Sequence, residues 1–142
     1  MQPAFTAEPP NPFTVVEGNN ISLEWSYNLD GSIRRVEFQE TTSSPSVLIL
    51  EVGSAGQYPV PQTPDVFEDS YNGRLQANVT ATETSITILG ANRTVDSKDY
   101  ELDIFVGSTR ITSVVTISVK CKYKSRLVFT FSITVKCARE FS

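Results

Sequence analysis

The chain has no histidine. That removes the commonest general base, the commonest transition-metal ligand and every Ser-His or Cys-His nucleophile pair. Its two cysteines, Cys121 and Cys137, both come late. No zinc-ligand spacing exists, and no disulfide can form within the first 120 residues. Glycine is scarce, with 7 in 142 residues, and no glycine-rich phosphate loop occurs. No apolar run approaches the roughly 18–20 residues of a membrane-spanning helix, so no direct membrane insertion is expected. Only carboxylate chemistry is left. Glu101 and Asp103 form an i, i+2 pair on one strand face, and nothing in the sequence raises a pKa there. The expectation is a protein that is not an enzyme, with no catalytic residues, no metal and no cofactor.

What is present reads as all-β. Hydrophobic residues make up 39% of the 142, enough for one folded domain with a remainder. Thr, Ser and Val are abundant and no 3.6-residue period persists. Charge is split along the chain. Residues 1–119 balance at −9, six basic against fifteen acidic, while residues 120–142 balance at +5, six against one. The shift places a boundary near 120: a domain over 1–120, then an extra strand or the start of a following segment over 121–142. An acidic body argues against nucleic acid as a partner. Three Asn-x-Ser/Thr sequons, at Asn20, Asn78 and Asn92, favour an extracellular protein with glycans at those positions. Met1 precedes Gln-Pro-Ala, without the basic and apolar regions of a signal peptide, so residues 1–12 read as a Pro-rich extended leader or loose first strand.

Alternation supplies the strands. Ile21, Leu23, Trp25 and Tyr27 face in and Ser22, Glu24 and Ser26 face out. Phe13–Val16, Val36–Gln39, Val47–Val52, Arg74–Val79, Ser85–Ile88 and Arg110–Lys120 are further strands. Gly53–Gly73 is a long connection with at most one short strand. Asp96-Ser97-Lys98-Asp99 is a polar corner that runs into Tyr100, Leu102, Ile104 and Val106, whose partners Glu101, Asp103 and Phe105 face the other way.

The corner resembles the start of strand F in immunoglobulin domains, Asp-Ser-x-x-Tyr-x-Cys, with Leu102 at the Cys position. Glu17-Gly18 through Trp25 resembles strand B with Trp25 at its Cys position. Val36-Glu37-Phe38-Gln39 resembles the Trp-Tyr-Arg-Gln run of strand C, with Val36 at the Trp. Arg74 matches the Arg that opens strand D and pairs with the Asp of the corner, here Asp96. The resemblance is to a variable-type (V-set) immunoglobulin domain, a two-sheet Greek-key sandwich, and covers about 110 residues. Both sandwich cysteines and the strand C Trp are missing; a fibronectin-like sandwich is the alternative that these departures leave open. A disulfide there typically contributes about 2–5 kcal/mol. Trp25 facing Leu102 and Val36 is the expected replacement. The resemblance also implies that the Tyr100 hydroxyl bonds backbone in the preceding turn.

Cysteine-poor V-set domains of this kind resemble those of cnidarian (hydroid) allorecognition receptors, cell-surface proteins that bind copies of themselves on neighbouring cells. The function implied is an extracellular recognition module with a protein partner, itself on an opposed cell; the alternatives are a heterophilic receptor domain and a structural spacer. Sandwich physics gives sheets A-B-E-D and G-F-C-C′. All three sequons fall on the first, which leaves the second free. Its outward positions by alternation are Arg35, Glu37, Gln39, Ile49, Glu101, Asp103, Phe105, Thr112, Val114 and Thr116. Phe105 and Val114 are apolar where water is expected, as in an interface core with a polar rim. Residues 127–136 alternate as one more strand. In a hairpin turning at 122–126, Cys121 would lie far from Cys137, so a bond between them is not expected.

Overall fold

The computed structural model describes residues 2–42, 47–53, 60–61, 71 and 73–121. Among these residues ten strands form: β1 (Ala4–Ala7), β2 (Phe13–Val16), β3 (Ile21–Asn28), β4 (Ile33–Glu40), β5 (Val47–Val52), β6 (Val60–Pro61), β7 (Leu75–Val79), β8 (Glu83–Ile88), β9 (Asp99–Val106) and β10 (Thr109–Lys120). One helical turn, α1 (Arg93–Asp96), precedes β9. One sheet has the order β1-β3-β8-β7, the other β2-β10-β9-β4-β5-β6. In immunoglobulin letters these are A-B-E-D and A′-G-F-C-C′-C″, an all-β two-sheet sandwich of the variable type.

The first dozen residues are less loose than their composition implies. β1 pairs antiparallel with β3, and β2 then pairs parallel with β10. One short stretch of chain therefore joins both sheets. Between β9 and β10 the hairpin loop is only Gly107-Ser108, and Gly107 sits at φ 59°, a value that suits glycine.

Each strand's inward parity fills the core. Ile21, Leu23, Trp25 and Tyr27 on β3 are buried, as are Val36 and Phe38 on β4 and Tyr100, Leu102 and Ile104 on β9. The Trp25 indole meets Phe38 edge-on at 6.3 Å between ring centroids. Its N–H donates to Ser113 Oγ at 2.9 Å, and Ser113 Oγ–H donates to Glu8 Oε1 at 2.5 Å. Phe38 and Ser113 are the two cross-strand neighbours of Leu102. Trp25 therefore stands over the rung that holds Leu102, and its observed aromatic partner is Phe38. Phe38 stacks on Tyr100 at 5.2 Å. A row of aromatic rings thus fills the level where a sandwich disulfide is expected.

The corner closes as the resemblance implies. Arg74 Nη2 lies 2.5 Å from Asp96 Oδ2, and Asp96 is fully buried. Arg74 also donates to the carbonyls of Leu89 and Gly90, at 3.0 and 2.9 Å. The Asn92 N–H donates to Asp96 Oδ2 at 2.7 Å. One expectation is corrected. The Tyr100 hydroxyl does not reach backbone in the turn; it shares a 3.0 Å hydrogen bond with the Tyr71 hydroxyl. Tyr71, from the long connection, is itself buried against the core and takes that place. Burial pushes both hydroxyls up from the ordinary tyrosine value, Tyr71 to about 12.

Cys121 is buried and disulfide-bonded. This corrects the hairpin argument, which left it unbonded. Cys137, the one other cysteine of the chain, and the strand expected over 127–136 lie outside the described residues.

Candidate functional site

The outer face of the second sheet is organised in rungs across the strands. The first rung is Arg110–Phe105–Arg35, the second Thr112–Asp103–Glu37–Glu51, the third Val114–Glu101–Gln39–Leu48. Thr116 and Asp99 form a fourth, joined by a 2.7 Å bond from Thr116 Oγ1 to Asp99 Oδ1.

Nine of the ten positions expected on this face lie on it. Ile49 does not: it is fully buried. The register between β4 and β5 slips at Phe38/Gln39, so that Leu50 and Leu48 oppose them and Ile49 is an extra residue. A one-residue bulge turns the side chain to the other face. Leu48 and Glu51 supply what β5 presents. Asp103 faces the expected way yet is wholly covered. Gln39 Nε2 donates to its Oδ2 at 2.8 Å and Thr112 Oγ1 to its Oδ1 at 2.7 Å.

The charges on this face are not equivalent. Arg35 Nε lies 2.8 Å from Glu37 Oε2 and 3.5 Å from Glu51 Oε2, close ionic contacts without an aligned hydrogen bond. Its Cζ sits 4.4 Å over the Phe105 ring. Arg35 is therefore held within its own domain, with Phe105 half-buried beneath it. Glu101 has a carboxyl neighbour instead. Its hydrogen bond to Asp103, then burial, then the Asp103 charge raise its pKa above the ordinary glutamate value, and Arg110 only partly opposes them. Strand alternation alone gives no reason for a raised value here. That reason is the packing that hides Asp103. Val114 is half exposed. Arg110, also exposed, belongs to this face by parity and forms no ion pair among the described residues.

The first sheet differs. Its outward residues Ser22, Glu24, Gln76 and Thr87 are polar. Asn78 is exposed on β7, Asn20 is exposed just before β3, and Asn92 is exposed in the loop that leaves β8. Asn20 Oδ1 accepts from the Gly90 N–H at 3.0 Å, and Asn92 Oδ1 caps α1 through Thr94 and Val95. Among the described residues no group of three or more His, Cys, Asp or Glu is placed to hold a metal ion. None of the described helices is long and apolar enough to cross a membrane.

Comparison with known proteins defines the class by fold alone. No family model matches the chain. No curated protein matches it either. Solved structures do. Murine CRIg superposes with a TM-score of 0.66 at 17% identity, over 84% of this chain and 99% of that one. A chain from a structure of T cell specificity and activation by the bacterial superantigen toxic shock syndrome toxin-1 gives 0.65 at 18% identity, over 82% and 99%. A chain of the titin M10–obscurin-like 1 immunoglobulin complex gives 0.55 at 15%, over 84% and 94%. The protein is an immunoglobulin-like β-sandwich domain, matching V-set CRIg among others.

Proposed function

We propose that this domain is an extracellular recognition module, part of a cell-surface protein, that binds copies of itself through the G-F-C-C′ face. The observation that carries the reading is the contrast between the two sheets. One bears three exposed sequons on or beside polar strands. The other presents Phe105 under Arg35, half-exposed Val114, and both signs of charge within three rungs. A face of mixed sign is able to complement its own copy across a two-fold axis, where an all-acidic face would repel itself. The resemblance to cysteine-poor allorecognition domains supports the homophilic form. A single face of this size gives weak contacts, strengthened by many copies on a membrane.

The test is aggregation of beads coated with the full 142-residue chain. Wild type should cluster, and Phe105→Ala should not, with both showing the same circular dichroism. Clustering that survives Phe105→Ala removes the face. Beads that never self-cluster but bind another surface protein would make the domain heterophilic. A monomer at all concentrations with no surface ligand would leave a spacer.

A further inference from the structure

The sheet carries, at Arg110, an exposed cation without an ion pair among the described residues and, at Glu101, a carboxyl crowded by its neighbour. Arg35 is spoken for by Glu37, Glu51 and the Phe105 ring. Arg110, beside Phe105 on the first rung, is exposed and has no ion-pair partner among the described residues. Two rungs along, Glu101 sits next to half-exposed Val114 and against the carboxylate of Asp103. Crowding of that kind makes Glu101 hold a proton longer than an ordinary glutamate; a guanidinium brought alongside would reverse the effect.

These two positions are related by a simple operation. A two-fold axis across the strands at the level of Thr112 and Asp103 carries the first rung of one copy over the third rung of another. Arg110 and Phe105 then face Val114 and Glu101 of the second copy, and the reverse contact forms at once on the other side of the axis. Position for position Arg110 lies over Val114 and Phe105 over Glu101; on the diagonals of that block of four, one strand spacing of about 4.8 Å aside, Arg110 reaches Glu101 and Phe105 reaches Val114. The strands of the two copies run in opposite directions, as they do for molecules reaching toward each other from facing surfaces.

We infer that a second copy of this chain docks on the G-F-C-C′ face with Arg110 of each copy against Glu101 of the other. This rests on the homophilic reading above and specifies its register. It also puts the charged contact on Arg110 and not on Arg35, which Glu37 and Glu51 of its own domain already engage.

A charge-swap experiment on coated beads tests it. Because the contact is reciprocal, Arg110→Glu beads should not cluster with themselves, nor should Glu101→Arg beads. Mixed together, the two sets should cluster with each other at the wild-type level, since both contacts are then acid against base. Circular dichroism and melting of each variant establish that both fold. Self-clustering of either single variant at the wild-type level overturns the inference and leaves homophilic binding standing. Loss in both singles without cross-clustering also overturns it, because the residues are then on the face but not opposed. Wild-type beads that do not cluster remove the homophilic reading itself, and this register with it.

Discussion

Trp25 has three jobs at one position. It fills the level of the absent disulfide, lies edge-on to Phe38, and donates to Ser113, which is bonded to Glu8. Trp25→Ala should cost about 3–5 kcal/mol, as for other buried aromatics. Urea denaturation followed by circular dichroism measures it, and a loss under about 1 kcal/mol would mean that the core closes without the indole. Glu101 yields a pH prediction. It binds its proton more tightly folded than unfolded, since its pKa is raised above the ordinary glutamate value of 4.5. Protonated Glu101 therefore adds stability below that value, and the contribution is lost as pH rises through the raised pKa. Glu101→Gln keeps a donor facing Asp103 at every pH. Its melting temperature should match wild type near roughly pH 3.5 and exceed it near roughly pH 7. An equal difference at both values would count against the carboxyl pair.

At the scale of elements, the corner that joins α1, β7 and β9 depends on a buried charge. Asp96→Ala would take the carboxylate away from Arg74, which also donates to the carbonyls of Leu89 and Gly90, and would free the Asn92 N–H. Removing one partner of a buried pair typically costs about 3–5 kcal/mol. The loss should be visible as a lower urea midpoint. Tyr71→Phe should cost about 1–3 kcal/mol by stranding the Tyr100 hydroxyl, and the double Phe variant should recover part of it. The sequence showed these elements unevenly. Strands β3, β9 and β10 were legible because period-two alternation sustains itself over eight or more residues, whereas of β4 only Val36–Gln39 was legible, through its likeness to strand C. Strand β1 was legible only as a leader or loose first strand somewhere in residues 1–12, since Pro3 and Pro9 bracket a stretch too short for alternation to show. Ile49 was misplaced because a bulge inserts one residue and reverses parity without leaving a mark in composition. Asp103 was placed on the right side but wrongly taken as exposed, for alternation gives direction and not cover. Tyr71 and Glu8 lie in Pro-rich stretches, where nothing local signals a long-range hydroxyl bond. Arg110 shares the parity of Thr112, so that signal was present.

The whole molecule is two-sided. Expressed in a secreting eukaryotic cell, the chain should carry N-glycans at Asn20, Asn78 and Asn92, read as a mass loss on enzymatic deglycosylation. Removing them should leave bead clustering unchanged, since none of the three lies on the strands of the G-F-C-C′ face. Clustering that depends on the glycans would put recognition on the first sheet. The path of the N-terminal strand pair has a mechanical consequence. β2 and β10 run parallel, with Phe13 to Val16 beside Ile117 to Lys120, and the Glu17 N–H extends the ladder to the Lys120 carbonyl at 2.9 Å. Tension along the chain would drag β2 backward and β10 forward along a common line. The ladder would be loaded in shear, with all its rungs strained together instead of peeling one at a time. Rupture under force is governed by the unfolding rate. A domain pulled between two surfaces would therefore hold by this short parallel ladder and not by a covalent staple between its sheets.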